Sequence, residues 1–309
     1  MWNRIVLLSQ SYVFVLIASL AIGVGFHSRV VFLAPYSTLF LAIIFFLSAL
    51  KINLKESLRY LSDKKMLFSV NVFMLLILPV IVYFATEFIY PSLALPFMIL
   101  AAMPSGMTSP FLSEISGGTQ SLALVFTVST SLLAPITVPL IIGVLAGTEV
   151  SVGFLTMFLS LAKVIFIPFI LAHIVKYFWE EKVRVITKNS RPVSMILLGL
   201  LIVGIVAKQA DAILSSIQGG TSFIYLIGLF ILFIAFHVFG YFLVFWRNKK
   251  DRVTITVCLT YLNFTLAVYL ADQFFKEPHI LIPIVLSVLP WSILLIPFKY
   301  FVKRIGIVS

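Results

Sequence analysis

A single cysteine, Cys258, is found among the 309 residues. A disulfide within the chain is thereby excluded, as is any thiolate metal cluster. Cys258 lies in an apolar run and reads as a small buried hydrophobe. Charge is scarce too: Asp, Glu, Lys and Arg make up 11% of the chain, against ~25% in a soluble domain. Acid is scarcer than base, with 11 Asp and Glu against 22 Lys and Arg. The four histidines, at 27, 173, 237 and 279, are scattered. No His-x-x-x-His pattern and no paired carboxylates occur, so no catalytic residue and no cofactor is expected.

Apolar surface is what the chain has in excess: 61% of its residues are hydrophobic, and 30 are phenylalanine. One water-soluble core of this length could not bury them all, so the lipid bilayer must solvate much of the surface. A spanning helix needs ~20 mostly apolar residues. Ten runs qualify, over 5–25, 34–50, 66–86, 92–116, 120–146, 151–176, 192–213, 221–246, 253–273 and 278–300. Their length indicates helices, since a barrel strand needs only ~9–11 alternating residues. The N-terminal run resembles a signal peptide but lacks a convincing small-residue cleavage site, and is expected to stay as the first span.

The formal charge of +11 raises the possibility of nucleic-acid binding, but its placement argues against that partner. The basic residues fall in short connectors between apolar runs. With a cytoplasmic N-terminus, Arg4 lies inside. So do Lys51, Lys55, Arg59, Lys64 and Lys65 after span two, and Lys176, Lys182, Arg184, Lys188 and Arg191 after span six. Arg247, Lys249, Lys250 and Arg252 follow span eight, and Lys299, Lys303 and Arg304 follow span ten. Only Arg29, Lys208 and Lys276 fall outside, with Lys163 mid-span. This asymmetry predicts a multi-pass inner-membrane protein with both termini cytoplasmic. Two five-span halves, 1–150 and 151–309, would then be inverted repeats. STSLLAPITVP (129–139) in span five and LSVLPWSILLIP (286–297) in span ten support the pairing: each places Ser, Pro and Pro in order.

Polar residues gather in two places. Span four carries Pro104-Ser105-Gly106-Met107-Thr108-Ser109-Pro110. Two prolines and a glycine cannot continue a regular helix, and broken backbone at this depth must line a cavity or be buried in protein. A discontinuous helix breaking near Ser105 and Gly106 is expected, its second half presenting an N-terminal dipole to the midplane. Span nine carries Tyr261-Leu262-Asn263-Phe264-Thr265 at the matching position, without proline or glycine. Asn263 there reads either as a sign of opened backbone or as an interhelical hydrogen bond. Thr127 and its neighbouring hydroxyls in span five read mostly as structural. Two ionisable groups lie deep. Lys163 reads as a substrate counter-charge, as a tethered coupling charge that offsets a missing cation, or as a snorkelling lysine. His237 reads as a coupling residue or as a packing histidine.

These features together resemble the bile acid:sodium symporter family, across nearly the whole chain. The residues that carry the resemblance are LKINLKESL after span two, PSGMTSP in span four, STSLLAPITVP in span five and LNFTLAVYLA in span nine. The resemblance implies a core domain of spans 3–5 and 8–10, with broken helices four and nine crossing, and a panel domain of spans 1, 2, 6 and 7. Substrate would lie between them, near Ser105, Thr108, Ser109, Thr127, Asn263, Thr265 and Lys163. The family's sodium ligands are largely absent. On the resemblance, ligand positions fall on Met74, Pro110, Ala123, Cys258 and Leu262, and only Ser109 and Thr127 keep a hydroxyl. A hard cation asks for a carboxylate or several oxygen ligands, so sodium binding is expected to be weak or absent. The reading is a secondary transporter of a bile-acid-like or small organic anion working by alternating access. Its alternatives are a carrier of the auxin-efflux or arsenite-efflux type, a sodium-coupled member of the family, and a membrane enzyme.

Overall fold

The computed structural model describes residues 12–51, 63–146, 153–275 and 277–306, and among these the chain is helical with no strand. Arg4, Lys55, Arg59 and Lys276, the start of span one, most of the LKINLKESL segment and the 150/151 boundary between the two expected repeats lie outside the described residues. The α-helices are α1 (Tyr12–Gly25), α2 (His27–Val30), α3 (Ser37–Leu50), α4 (Lys64–Val72), α5 (Leu78–Ile89), α6 (Ala94–Ala102), α7 (Ser109–Ile115), α8 (Gln120–Leu145), α9 (Phe154–Phe178), α10 (Glu180–Lys208), α11 (Ala210–Gln218), α12 (Thr221–Leu243), α13 (Lys249–Thr260), α14 (Phe264–Phe274), α15 (Pro278–Leu286), α16 (Val288–Ile293) and α17 (Leu295–Arg304).

Among the described residues, six continuous stretches are long and apolar enough to cross a membrane: His27–Leu50, Lys64–Ile89, Gln120–Leu145, Phe154–Phe178, Thr221–Leu243 and Pro278–Arg304. A seventh is the α10 pair Glu180–Thr187 and Pro192–Lys208, bent by 62°, where Pro192 removes a donor and crowds the preceding turn. The span expected at 34–50 begins earlier, because a 3₁₀ stretch at Val31–Tyr36 joins α2 to α3. The spans expected at 92–116 and 253–273 do not run through. Each is split into two helices too short to cross alone. Outward-facing phenylalanines such as Phe32, Phe68, Phe84, Phe88 and Phe245 are exposed, as lipid-solvated side chains would be.

Local signals fix several helix ends. Asp63 accepts a hydrogen bond from Met66 N–H at 3.1 Å, and Asn248 accepts one from Asp251 N–H at 2.9 Å; each satisfies an orphan donor of a first helical turn. Arg247 ties these two starts together, donating to Asp63 at 2.9 Å and to Asp251 at 2.9 Å. Between α4 and α5 the chain makes one π-helical turn, Phe73–Ile77, just before Pro79. The wide turn accommodates the hydrogen bond that proline cannot donate.

The helices pack in two groups. α10 runs along α1 and α3, and α3 runs along α9. α12 lies on α13, α5 on α6, α7 and α13 on α8, and α14 and α6 on α15. Close approach within the second group depends on small residues: a Cβ on Gly240 of α12 would fall 2.8 Å or less from α13, at 2.7 Å from Thr256 Cα. The groups meet where α14 touches α3 and α10, and where α8 meets α9.

Candidate functional site

The two interrupted helices cross at their breaks. α6 ends at Ala102, and Met103 turns to extended backbone. Residues 104–108 are non-helical before α7 restarts at Ser109. On the other side α13 ends at Thr260, and α14 starts after Asn263. The two openings lie antiparallel, with Ser105 opposite Leu262. Gly106 N–H donates to the Tyr261 carbonyl at 2.9 Å, and Asn263 N–H donates to the Pro104 carbonyl at 2.8 Å. Each break thus satisfies the other's freed peptide groups, as an apolar surrounding demands. The approach is close enough to require glycine: a Cβ on Gly106 would lie 2.6 Å from the Tyr261 oxygen and 2.9 Å from the Leu262 oxygen.

Behind the crossing the hydroxyls bond to one another and to the main chain. Ser109 donates to the Tyr261 carbonyl at 3.0 Å. Ser105 N–H donates to Thr130 Oγ1 at 3.1 Å, and Thr130 in turn donates to the Phe126 carbonyl at 2.6 Å. The Ser105 and Thr127 hydroxyls lie 3.4 Å apart, and Thr127 donates to the Gly106 carbonyl at 3.4 Å. Ser105 and Ser109 are fully buried, so they brace the crossing rather than face a cavity. His237 belongs to the same scaffold. Its Nδ1 is 2.8 Å from the Phe233 carbonyl and its Nε2 is 3.2 Å from the Tyr261 hydroxyl. A neutral ring that donates from Nδ1 and accepts at Nε2 satisfies both contacts.

In front of the crossing lies a cavity of about 470 Å³, within the range of small-molecule sites. α3 contributes Leu41, Phe45 and Ser48, α10 contributes Ser194, Met195 and Leu198, and the crossing contributes Gly106, Thr108, Leu262 and Asn263. Thr127, Thr265 and Pro110 also line it. Asn263 is oriented by its cap: its Oδ1 accepts from Leu266 N–H at 3.1 Å. The amide Nδ2 is left without a partner among the described residues, as are the hydroxyls of Ser194 and Ser292 on the same wall. The start of α14 adds the positive end of a helix dipole.

Of the residues expected at the site, Thr108, Thr127, Asn263 and Thr265 come together on the cavity wall. Lys163 does not. It is exposed on the outer face of α9, away from the lining, because hydropathy gives depth along a helix but not which way a side chain points. The positions compared with sodium ligands are mostly apolar filling: Met74, Ala123, Cys258 and Leu262 are all buried. The Cys258 thiol lies 3.9 Å from the Ala123 carbonyl. Sequence reasoning overlooked Lys51, the one ionisable residue on the cavity wall among the described residues. Its place at the end of an apolar run was a signal, but one shared with every other connector lysine. Ser194 and Ser292 carried no signal at all.

No curated protein matches the chain. The model of the SBF-like CPA transporter family, a bile acid:sodium symporter-like family, matches residues 6–296. A match of that extent, over a helical chain with several membrane-length apolar helices, shows that the chain belongs to the SBF-like CPA transporter family.

Proposed function

We propose that the chain is a secondary carrier of a small organic anion, which it moves across the inner membrane by alternating access. In this reading the split helices α6–α7 and α13–α14 are spans four and nine of ten. Two inverted five-span repeats build a core from spans 3–5 and 8–10, and a panel from spans 1, 2, 6 and 7. Both termini are cytoplasmic, and the cavity between core and panel is the transport site, open on the cytoplasmic side.

The observation that carries the substrate charge is the make-up of the cavity wall, where among the described residues Lys51 is the one ionisable side chain. An anion is favoured over a cation there, and the remaining polar groups offer donors to its acceptor oxygens. The hydroxyls of Thr108 and Thr265, on the wall beside Asn263, and the α14 N-terminus suit a carboxylate. Apolar residues such as Leu41, Ile44 and Phe45 suit a hydrocarbon body.

Sodium coupling is weak or absent in this reading. The hydroxyls of Ser109 and Thr127 are used in holding the crossing together, and Met74, Ala123, Cys258 and Leu262 offer no side-chain oxygen. A hard cation would have to shed its water for a few backbone carbonyls, which does not offset dehydration. The arsenite alternative loses ground because the Cys258 thiol is buried behind the crossing, not on the cavity wall.

The test is flux in proteoliposomes with a panel of labelled monoanionic carboxylates and their neutral amides. Lys51→Gln should weaken apparent affinity for anions about two- to fivefold, the scale of one partly solvated charge pair, with neutral analogues ignored throughout. Equal uptake of acids and amides, together with an unaltered Lys51→Gln variant, would overturn the reading.

A further inference from the structure

Beyond the cavity lining, an ion pair joins the two groups of helices. Lys208 Nζ donates to Asp272 Oδ1 at 2.8 Å. Lys208 ends α10, a panel helix, and Asp272 lies in the last turn of α14, a core helix. α10 lines the cavity through Ser194, Met195 and Leu198. Lys208 lies ten residues beyond Leu198, ~15 Å along the helix axis. α14 lines the cavity through Phe264 and Thr265. Asp272 lies seven residues beyond Thr265, ~10 Å along its axis. Both charges therefore sit past the inner end of the cavity, on the side that the cation distribution assigns to the exterior.

The two partners are unequal in solvation. The Asp272 side chain is 2% exposed and that of Lys208 is 47% exposed. Asp272 accepts one further hydrogen bond, from its neighbour Gln273 at 3.1 Å. Its only charged partner among the described residues belongs to the opposite group of helices. A buried carboxylate without its cation is strongly disfavoured. If core and panel part at this end, water reaches both groups and the pair is no longer needed.

We propose that Lys208 and Asp272 form a latch that holds the exterior side shut while the cytoplasmic side is open. The latch sets how often the carrier visits its outward-open state. The proposal rests on the carrier reading for the existence of that second state. Its asymmetry follows from the burial: losing the lysine strands a buried charge in the closed form, whereas losing the acid leaves a lysine that water already reaches.

The experiment measures spin-label distances between Ser28→Cys on the panel and Glu277→Cys on the core, in the full chain with Cys258→Ser, in lipid nanodiscs. Lys208→Met should add a population longer by ~5 Å or more, about one helical turn. Asp272→Asn should shift less, and the exchanged pair Lys208→Asp/Asp272→Lys should return the parent distribution. A purely structural pair would lower thermal stability without lengthening the distance, and that result overturns the latch. So does the same two-population distribution in parent and variants, which leaves the carrier reading standing. One short distance in every variant, with no flux of any anion, overturns both. Asp272→Asn, nearly isosteric, gives the answer if Lys208→Met fails to fold.

Discussion

Replacing Gly106 by alanine strikes the crossing directly. The added Cβ would lie 2.6 Å from the Tyr261 oxygen and 2.9 Å from the Leu262 oxygen, and both are main-chain atoms that cannot rotate away. An ordinary carbon–oxygen contact needs ~3.3 Å, so the strands must separate by roughly half an ångström or more. That movement strains the Gly106–Tyr261 and Asn263–Pro104 hydrogen bonds, now 2.9 and 2.8 Å long. Each buried peptide group left unpaired costs ~1–3 kcal/mol, so the substitution should destabilise the protein by ~2–5 kcal/mol. Gly143→Ala is the control: a Cβ there meets nothing within 4 Å, and helix propensity predicts a gain of up to ~1 kcal/mol. Unfolding of both variants in mild detergent, followed by far-ultraviolet circular dichroism, compares them. A Gly106→Ala protein as stable as the parent, or less perturbed than Gly143→Ala, would refute the backbone crossing as described.

Asn263 separates support from recognition. Asn263→Ala removes the cap on Leu266 N–H, costing ~1 kcal/mol, and should also abolish most anion uptake. Asn263→Asp keeps the cap but buries a carboxylate without a cation partner, so it should melt below the parent and transport worse than Asn263→Ala, because a negative charge then faces the anion. Replacing potassium by sodium at equal ionic strength should leave thermal stability unchanged within error; a saturable rise at low millimolar sodium would contradict the reading. Lys163→Met should transport within twofold of the parent, since Lys163 faces outward from α9, and a larger loss would return it to the site.

Much of this was legible in the sequence because lipid imposes a simple grammar. Run length marked six of the ten expected spans as continuous membrane-length helices, and the Pro104–Pro110 segment announced a break, since proline and glycine act on the chain locally. The second break was harder to read. Residues 261–263 contain no breaker, and what opens the helix there is the hydrogen bonding offered by residues 104 and 106, over 150 positions away. Asn263, the lone amide, was its only trace. Side-chain direction was not legible either, which is why Lys163 drew attention and Lys51 escaped it. The pairing of Asp272 with Lys208 is likewise a property of two distant helices; along the sequence Asp272 reads only as an acid near a span end.

The crossing joins its halves chiefly through peptide groups, which every residue but proline supplies in full. Apart from Gly106, where a Cβ would meet the facing main chain, its geometry therefore depends little on which side chains project from it. None of the main-chain hydrogen bonds of the crossing uses the side chains of Met74, Ala123, Cys258 or Leu262, so a change of side chain at these positions leaves the frame in place. Substitution at those buried positions can alter the lining behind the crossing without undoing it.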